Sequence, residues 1–359
     1  MINGHGGNIY QLADNLGCHV SEIIDMSSNV NPLGPIPELL SHLTDCMDSV
    51  AHLPQVDALA IREAFAQQHG LDPQLVLAGN GSTQWIYTLP LALKAKRALI
   101  LAPAYSDYAD ACAMHGTTVQ YRFSSAKDLF DYDLTRIFKL AEEMDLVFIC
   151  NPNNPTGRLI PAEALLELCL SRPDTIFIID ESYLPFIRQS ESHTLINRDL
   201  ANAVIITSMS KIYRLPGLRI GFIKAPRKII PLLAPYGLPW AVNSLASAAV
   251  LWLMQHQEIV APFIDRSIGF IQKEKELFYQ RVAHIKKLTC FESCTSYILI
   301  KLPENVDSKQ VWNTMAKAKL LIRDCSNFQG LSSRFIRISL KDSENNLKAF
   351  EILENISQV

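Results

Sequence analysis

The chain has 359 residues, 48% hydrophobic and 19% charged, which is enough for two domains sharing a large core. A formal net charge of −3, with no basic block and no aromatic-basic interleaving, argues against a nucleic-acid partner. The eight cysteines form no Cys-x-x-Cys pair, and no histidine lies near enough in sequence to Cys290 and Cys294 to complete a metal set, so they read as free thiols of a reducing cytoplasm and no metal is expected.

Met1-Ile2-Asn3-Gly4-His5 lacks the charged-then-apolar pattern of a signal peptide. From there, short apolar runs alternate with helical patterns. Leu75-Val76-Leu77, Ala98 to Leu101, Leu146 to Ile149, Thr175 to Ile179, Ala203 to Ile206 and Ile220 to Ile223 are nearly continuously apolar. Strands covered by helices on both faces have this composition. Ala162 to Cys169 is one of the helical patterns between them. The alternation predicts an α/β fold with a mostly parallel sheet, whose ligands gather at the carboxyl ends of the strands. Leu238 to Met254 is the most apolar stretch, but Asn243, Ser244 and Ser247 interrupt it. It predicts a buried helix, and no membrane partner is expected. The last third changes character. A long helix over about Pro262 to Lys287 precedes a strand at Tyr297 to Ile300 and a helix near Ser308 to Lys319. Strands at Leu320 to Arg323 and Phe335 to Ile338 and a final helix from about Ser343 complete a smaller α+β unit. The expected division is a segment over 1–35 packing at the active site, a large α/β domain over 36–255 and a small domain over 256–359.

The residues with chemical potential sit mostly where predicted strands end. Ala78-Gly79-Asn80-Gly81-Ser82 opens a helix, where exposed amides suit a phosphate. Tyr105 could stack on a flat ring. Asn151-Pro152-Asn153-Asn154-Pro155-Thr156-Gly157 is a stiff loop from which Asn154 can offer an amide to a ring oxygen. Asp180 ends an apolar strand, where a carboxylate is costly without a partner; a protonated pyridine nitrogen would be one. Lys211, in Ser208-Met209-Ser210-Lys211, suits a covalent link to an aldehyde, because desolvation lowers a lysine's pKa and frees its amine. Arg219 follows, placed to anchor a phosphate. Each motif taken alone has an ordinary structural explanation as a turn, a cap, a core tyrosine or a solvated lysine. Their order is far more specific.

That order resembles the fold-type I pyridoxal-phosphate enzymes, with their aspartate aminotransferase-like fold, over the whole chain. The resemblance implies pyridoxal 5'-phosphate as cofactor, carried by Lys211, with Asp180 pairing with the pyridine nitrogen. It implies Asn154 and Tyr183 at the ring hydroxyl, Tyr105 against the ring, and Gly81, Ser82, Ser208, Ser210 and Arg219 around the phosphate. It also implies a homodimer. Within this group the chain is similar to two families, the threonine-phosphate decarboxylases of cobamide biosynthesis and the histidinol-phosphate aminotransferases. Four segments favour the decarboxylases: His5-Gly6-Gly7-Asn8, Asp25-Met26-Ser27-Ser28-Asn29-Val30-Asn31-Pro32-Leu33-Gly34, Pro239 to Asn243, and Leu321 to Phe328. Four positions depart from the pattern. Leu53 stands where both families usually have a tyrosine that reaches the neighbouring subunit's cofactor phosphate. Tyr183 fits the aminotransferases better, and Thr295-Ser296 replaces an Ala-Asn pair.

The expected substrate is a small phosphorylated amino acid, O-phospho-L-threonine or O-phospho-L-serine. Its doubly charged phosphate favours arginine forks. Arg323 and Arg337, helped by His5 and Asn31, are assigned to the substrate's phosphate and carboxylate, with the division between the arginines left open. Histidinol-phosphate transamination is the alternative activity. A non-catalytic ligand sensor on the same fold is the remote one, and the chain's charge is wrong for the DNA contact such a protein needs.

Overall fold

The computed structural model describes residues 6–285 and 287–358; His5, the N-terminal helper expected at the substrate, lies outside them. A short strand β1 (Ile24–Asp25) leads into the large sheet. This sheet consists of β2 (Val76–Asn80), β3 (Arg97–Ala102), β4 (Thr118–Phe123), β5 (Leu146–Cys150), β6 (Ile176–Asp180), β7 (Ala203–Ser208) and β8 (Ile220–Lys224). The C-terminal part adds β9 (Thr289–Cys290), β10 (Tyr297–Lys301), β11 (Leu320–Leu321), β12 (Arg323–Asp324) and β13 (Phe335–Ser339).

The large sheet has the order β2-β8-β7-β6-β5-β3-β4. Pairing is parallel from β7 across to β4, and β8 runs antiparallel to both of its neighbours. Successive strand side chains point to opposite faces, so a strand with helices on both sides must be apolar at every position. That is what the runs do. Leu99, Val147, Ile149, Phe177, Ile179, Ile205 and Phe222 fill the core on one face. Ile100, Leu146, Phe148, Ile178, Val204, Ile206 and Ile223 fill the core on the other. Each such side chain contributes about 1.5–3 kcal/mol relative to exposure. Strand β4, which no apolar run predicted, is the exception that explains itself: it is an edge strand, and Thr118-Val119-Gln120-Tyr121-Arg122-Phe123 is only partly covered.

The apolar stretch near 250 forms the helix Ser244–Gln255, with Asn243 Oδ1 accepting from Ala246 N at 2.8 Å. The long helix runs Gln257–Val282, five residues earlier at each end than its sequence pattern suggested. It carries the chain into an antiparallel sheet of order β12-β13-β10-β9. The expected strand at 320–323 is split between two sheets, since Leu320 and Leu321 pair with β1 while Arg323 and Asp324 pair with β13. Through that β1–β11 pair, and through fully buried Met26 in the small sheet's core, the N-terminal segment belongs physically to the C-terminal unit. Among the described residues, no helix is long and apolar enough to cross a membrane, and no group of three or more His, Cys, Asp or Glu could hold a metal ion.

Candidate active site

Strand direction gathers the site. Strands β3, β5, β6 and β7 are parallel, and β2, antiparallel to an antiparallel neighbour, points the same way. Their carboxyl ends therefore share one edge, where β8 begins. One cavity at this edge is lined by Ser82 and Thr83 after β2, Tyr105 and Tyr108 after β3, and Cys150 and Asn154 at β5. Asp180, Ser182 and Tyr183 follow from β6, Ser208, Ser210 and Lys211 from β7, and Arg219 from the start of β8. Residues separated by more than a hundred positions thus surround one small space.

Asp180 is buried, and both of its oxygens are engaged. Oδ1 accepts from Ser182 N at 3.0 Å and Oδ2 from the Tyr108 hydroxyl at 2.8 Å. Lys211 Nζ sits 5.8 Å from the centre of the Tyr183 ring. Burial, reinforced by the charge of Arg219, pulls the Lys211 amine down to about 8, while Asp180 opposes the shift. A lysine so placed is deprotonated far more often at neutral pH than a surface lysine, as a nucleophile must be. Burial raises the Tyr183 phenol, which accepts from Asn29 Nδ2 at 3.3 Å.

The other end of the cavity is built for an anion. Gly81 begins the helix Gly81–Ala92 with φ +73°, and a Cβ there would lie 2.4 Å from Arg219 Nη2. A Cβ on Gly221 would lie 2.5 Å from Ser82 N. Only glycines let the helix start and Arg219 approach this closely. Helix N-termini carry partial positive charge and free amides. The Ser210 hydroxyl is buried with no hydrogen-bond partner, as is that of Ser182. Buried hydroxyls without partners cost free energy, so a ligand that pairs with them is stabilising.

Two arginines stand beside this cavity. Arg323 and Arg337 are cross-strand partners on β12 and β13 and both are buried. Arg337 donates to Asn154 Oδ1 through Nη1 and to Ser27 O at 2.5 Å through Nη2. Its Nε has no partner. Arg323 donates to Asn327 Oδ1 at 2.8 Å and lies 4.9 Å from the Phe328 ring centre. Among the described residues, neither guanidinium forms a salt bridge. Two buried cations side by side without a carboxylate are expensive unless an anion joins them.

Asn31, expected as a helper at the substrate, has its amide engaged within the chain: its Nδ2 donates to Ile212 O and Ser267 Oγ, both at 2.8 Å, and its Oδ1 accepts from Leu33 N at 3.0 Å. With Asn31 N donating to Lys211 O at 3.0 Å, it pins the N-terminal loop to the lysine segment. The residue of that loop that approaches the cavity wall is Asn29, whose Oδ1 is buried without a partner. Both asparagines of this segment are buried, and local sequence does not say which one reaches the cavity wall. Tyr108 and Thr83 were also missed, because a tyrosine or threonine in the first turn of a helix carries no distinguishing local signal.

The chain matches the aminotransferase class I and II family over residues 21–353 and belongs to it. It is similar to threonine-phosphate decarboxylase of Salmonella typhimurium, 29% identical over 361 residues that span 99% of this chain and 96% of that protein. Among solved structures it resembles L-threonine-O-3-phosphate decarboxylase from Porphyromonas gingivalis, with TM-score 0.82 and 29% identity over 93% of this chain and 99% of that one. It also resembles histidinol-phosphate aminotransferase from Clostridium acetobutylicum, with TM-score 0.84 and 26% identity over 93% and 98%. Shape alone does not separate the two reactions.

The cavity fits pyridoxal phosphate, the cofactor this family uses. The anion cup at Gly81 and Arg219, with its unpaired Ser210 hydroxyl, matches the phosphate, Asp180 a protonated ring nitrogen and Lys211 the aldehyde. Because the Asn154 carbonyl oxygen is occupied by Arg337, what remains for a ring oxygen is its amide NH₂.

Proposed function

We propose that the chain decarboxylates O-phospho-L-threonine, or the one-methyl-smaller O-phospho-L-serine. The product is (R)-1-aminopropan-2-yl phosphate or ethanolamine phosphate, which serves the linker of the cobamide nucleotide loop. The observation that carries this reading is the buried Arg323–Arg337 pair, which forms no salt bridge among the described residues and touches the cavity through Asn154. Its charge suits a substrate with two anionic ends, and the similarity to threonine-phosphate decarboxylases supports the same substrate class.

Bound pyridoxal phosphate supplies an electron sink for the pair left when a Cα bond breaks. The chain's residues decide which bond that is. Only a bond standing perpendicular to the ring overlaps its π system. Arg323 and Arg337 would hold the substrate's phosphate and carboxylate between them, and so set which Cα bond takes that orientation. Asp180 would pair with the ring nitrogen, Tyr105 would cover the ring, and Asn154 and Tyr183 would meet its hydroxyl oxygen. Gly81, Ser82, Ser208, Ser210 and Arg219 would hold the cofactor phosphate. Lys211 would anchor the cofactor through its aldehyde, and its Nζ is the group placed to hold or give up a proton beside the substrate's Cα. An amine with a pKa of about 8 exchanges protons readily near neutral pH.

We further propose a cytoplasmic homodimer. Met47, Val50, Leu53, Val56 and Leu59 are exposed apolar residues of one segment, and Leu238 and Trp240 of another. Trp240 N donates to Val56 O at 3.0 Å, so the two segments meet. A joined apolar surface of this kind favours cover by a second copy. Leu53, 75% exposed, offers that copy no hydroxyl, so its contribution there is apolar.

The deciding experiment supplies purified, cofactor-loaded protein with O-phospho-L-threonine or O-phospho-L-serine and no keto acid. Stoichiometric carbon dioxide and amino-alcohol phosphate are expected. Glutamate-dependent transfer to imidazole-acetol phosphate without carbon dioxide release would replace this reading with the aminotransferase one.

A further inference from the structure

We propose that Tyr108 is a positioning residue of the cofactor site, holding both the Asp180 carboxylate and the Tyr105 ring where a bound pyridine ring needs them. This inference rests on the cofactor reading above. Tyr108 lies three residues after Tyr105, in the first turn of the helix Asp107–Met114, and is 1% exposed. Its ring stacks on Phe148 of β5, with centroids 5.1 Å apart and planes at 18°. The stack aims the hydroxyl at Asp180 Oδ2, 2.8 Å away. Tyr105 meets Tyr108 edge-on, with centroids 5.8 Å apart and planes at 88°. One buried ring thus touches the strand floor, the acid and the stacking platform.

The chemistry of the neighbours makes Tyr108 the donor. Burial and the adjacent Asp180 charge push its phenol well above the ordinary range, so it stays protonated. The nearby Cys150 thiol is pushed up to about 12 by burial and is occupied with Pro152 O at 3.2 Å. With Ser182 N on Oδ1, the Tyr108 hydroxyl completes a two-point clamp that fixes the rotation of the carboxylate. Removing it leaves Oδ2 unpaired at a buried site and frees the group to turn.

Tyr108→Phe deletes the hydroxyl and keeps the stack on Phe148. The measurement is the pyridoxal phosphate dissociation constant, read by absorption titration of the apoprotein. Four chains are compared: wild type, Tyr108→Phe, Asp180→Asn, and the two changes together. Tyr108→Phe is expected to weaken binding about tenfold, the scale of one hydrogen bond to a charged group. In the Asp180→Asn background the same change is expected to cost less than about twofold, because the interaction it removes is already altered. An unchanged constant, or an equal loss in both backgrounds, would overturn the role of Tyr108 alone. A wild-type chain that does not bind pyridoxal phosphate would overturn the cofactor reading, and this inference with it.

Discussion

Lys211 shows how one side chain ties chemistry to stability. Its amine is held at about 8 against an ordinary 10.5, chiefly by burial. The folded chain therefore loses this proton near pH 8, while the unfolded chain keeps it to about 10.5. Between those values the unfolded state holds more protons, so apoprotein stability rises with pH through that window. Below pH 8 the full cost is present. Lys211→Met removes it. The variant's apoprotein should be more stable than wild type at pH 7, by on the order of 1–3 kcal/mol, and the advantage should fade between pH 8 and 10.5. Denaturant melts across that range check this, and an advantage that grows with pH would contradict it. The same variant should lose the aldehyde-dependent absorption band of the loaded protein. The motif around Lys211 made the residue visible in the sequence. Its depressed pKa was not visible, since Arg219 and Asp180 approach it only in the folded chain.

Strand runs were legible because they answer to one rule: a strand buried on both faces is apolar throughout. Their carboxyl ends then located Tyr105, Asn154, Asp180 and Lys211 at one edge. Edge strand β4 broke the rule and was missed, and the split of 320–324 between two sheets was equally invisible because both halves pair with distant partners. The helix start at Gly81 is where element geometry turns into binding. A methyl group there would lie 2.4 Å from the Arg219 guanidinium, on a backbone with positive φ. Gly81→Ala is therefore expected to displace Arg219 and weaken pyridoxal phosphate binding by about tenfold or more, through strain of about 1–2 kcal/mol and the lost contact. Equilibrium titration of the cofactor tests it, and unaltered affinity would show that Arg219 swings aside without loss.

At the scale of the molecule, the N-terminal segment is the joint between the two sheets. Met26 packs into the small sheet's core, Ser27 O takes Arg337, Asn29 reaches Tyr183 and Asn31 clamps the Lys211 segment. Through this joint Arg337 of the small unit reaches Asn154 of the large one. The exposed apolar surface around Leu53 and Trp240 is where the proposed homodimer would meet. Replacing Trp240 and Leu53 together by aspartate should convert a dimer to a monomer, because two charges would have to be desolvated at the contact. Sedimentation equilibrium reads the change directly; a wild-type chain that is already monomeric at micromolar concentration would refute the assembly.

The sequence by itself determined the fold class and the cofactor, because the family resemblance rests on local strings at strand ends whose order survives any detail of packing. Tertiary structure decided what strings cannot carry. It turned Asn29 rather than Asn31 to the cavity wall and put Tyr108 on Asp180. It set Arg323 against Arg337 with no salt bridge to either among the described residues. Each of these is a contact between residues far apart in the chain, or a choice between neighbours that differ only in the face they present. Both depend on how the strands and helices pack, which the local sequence does not specify.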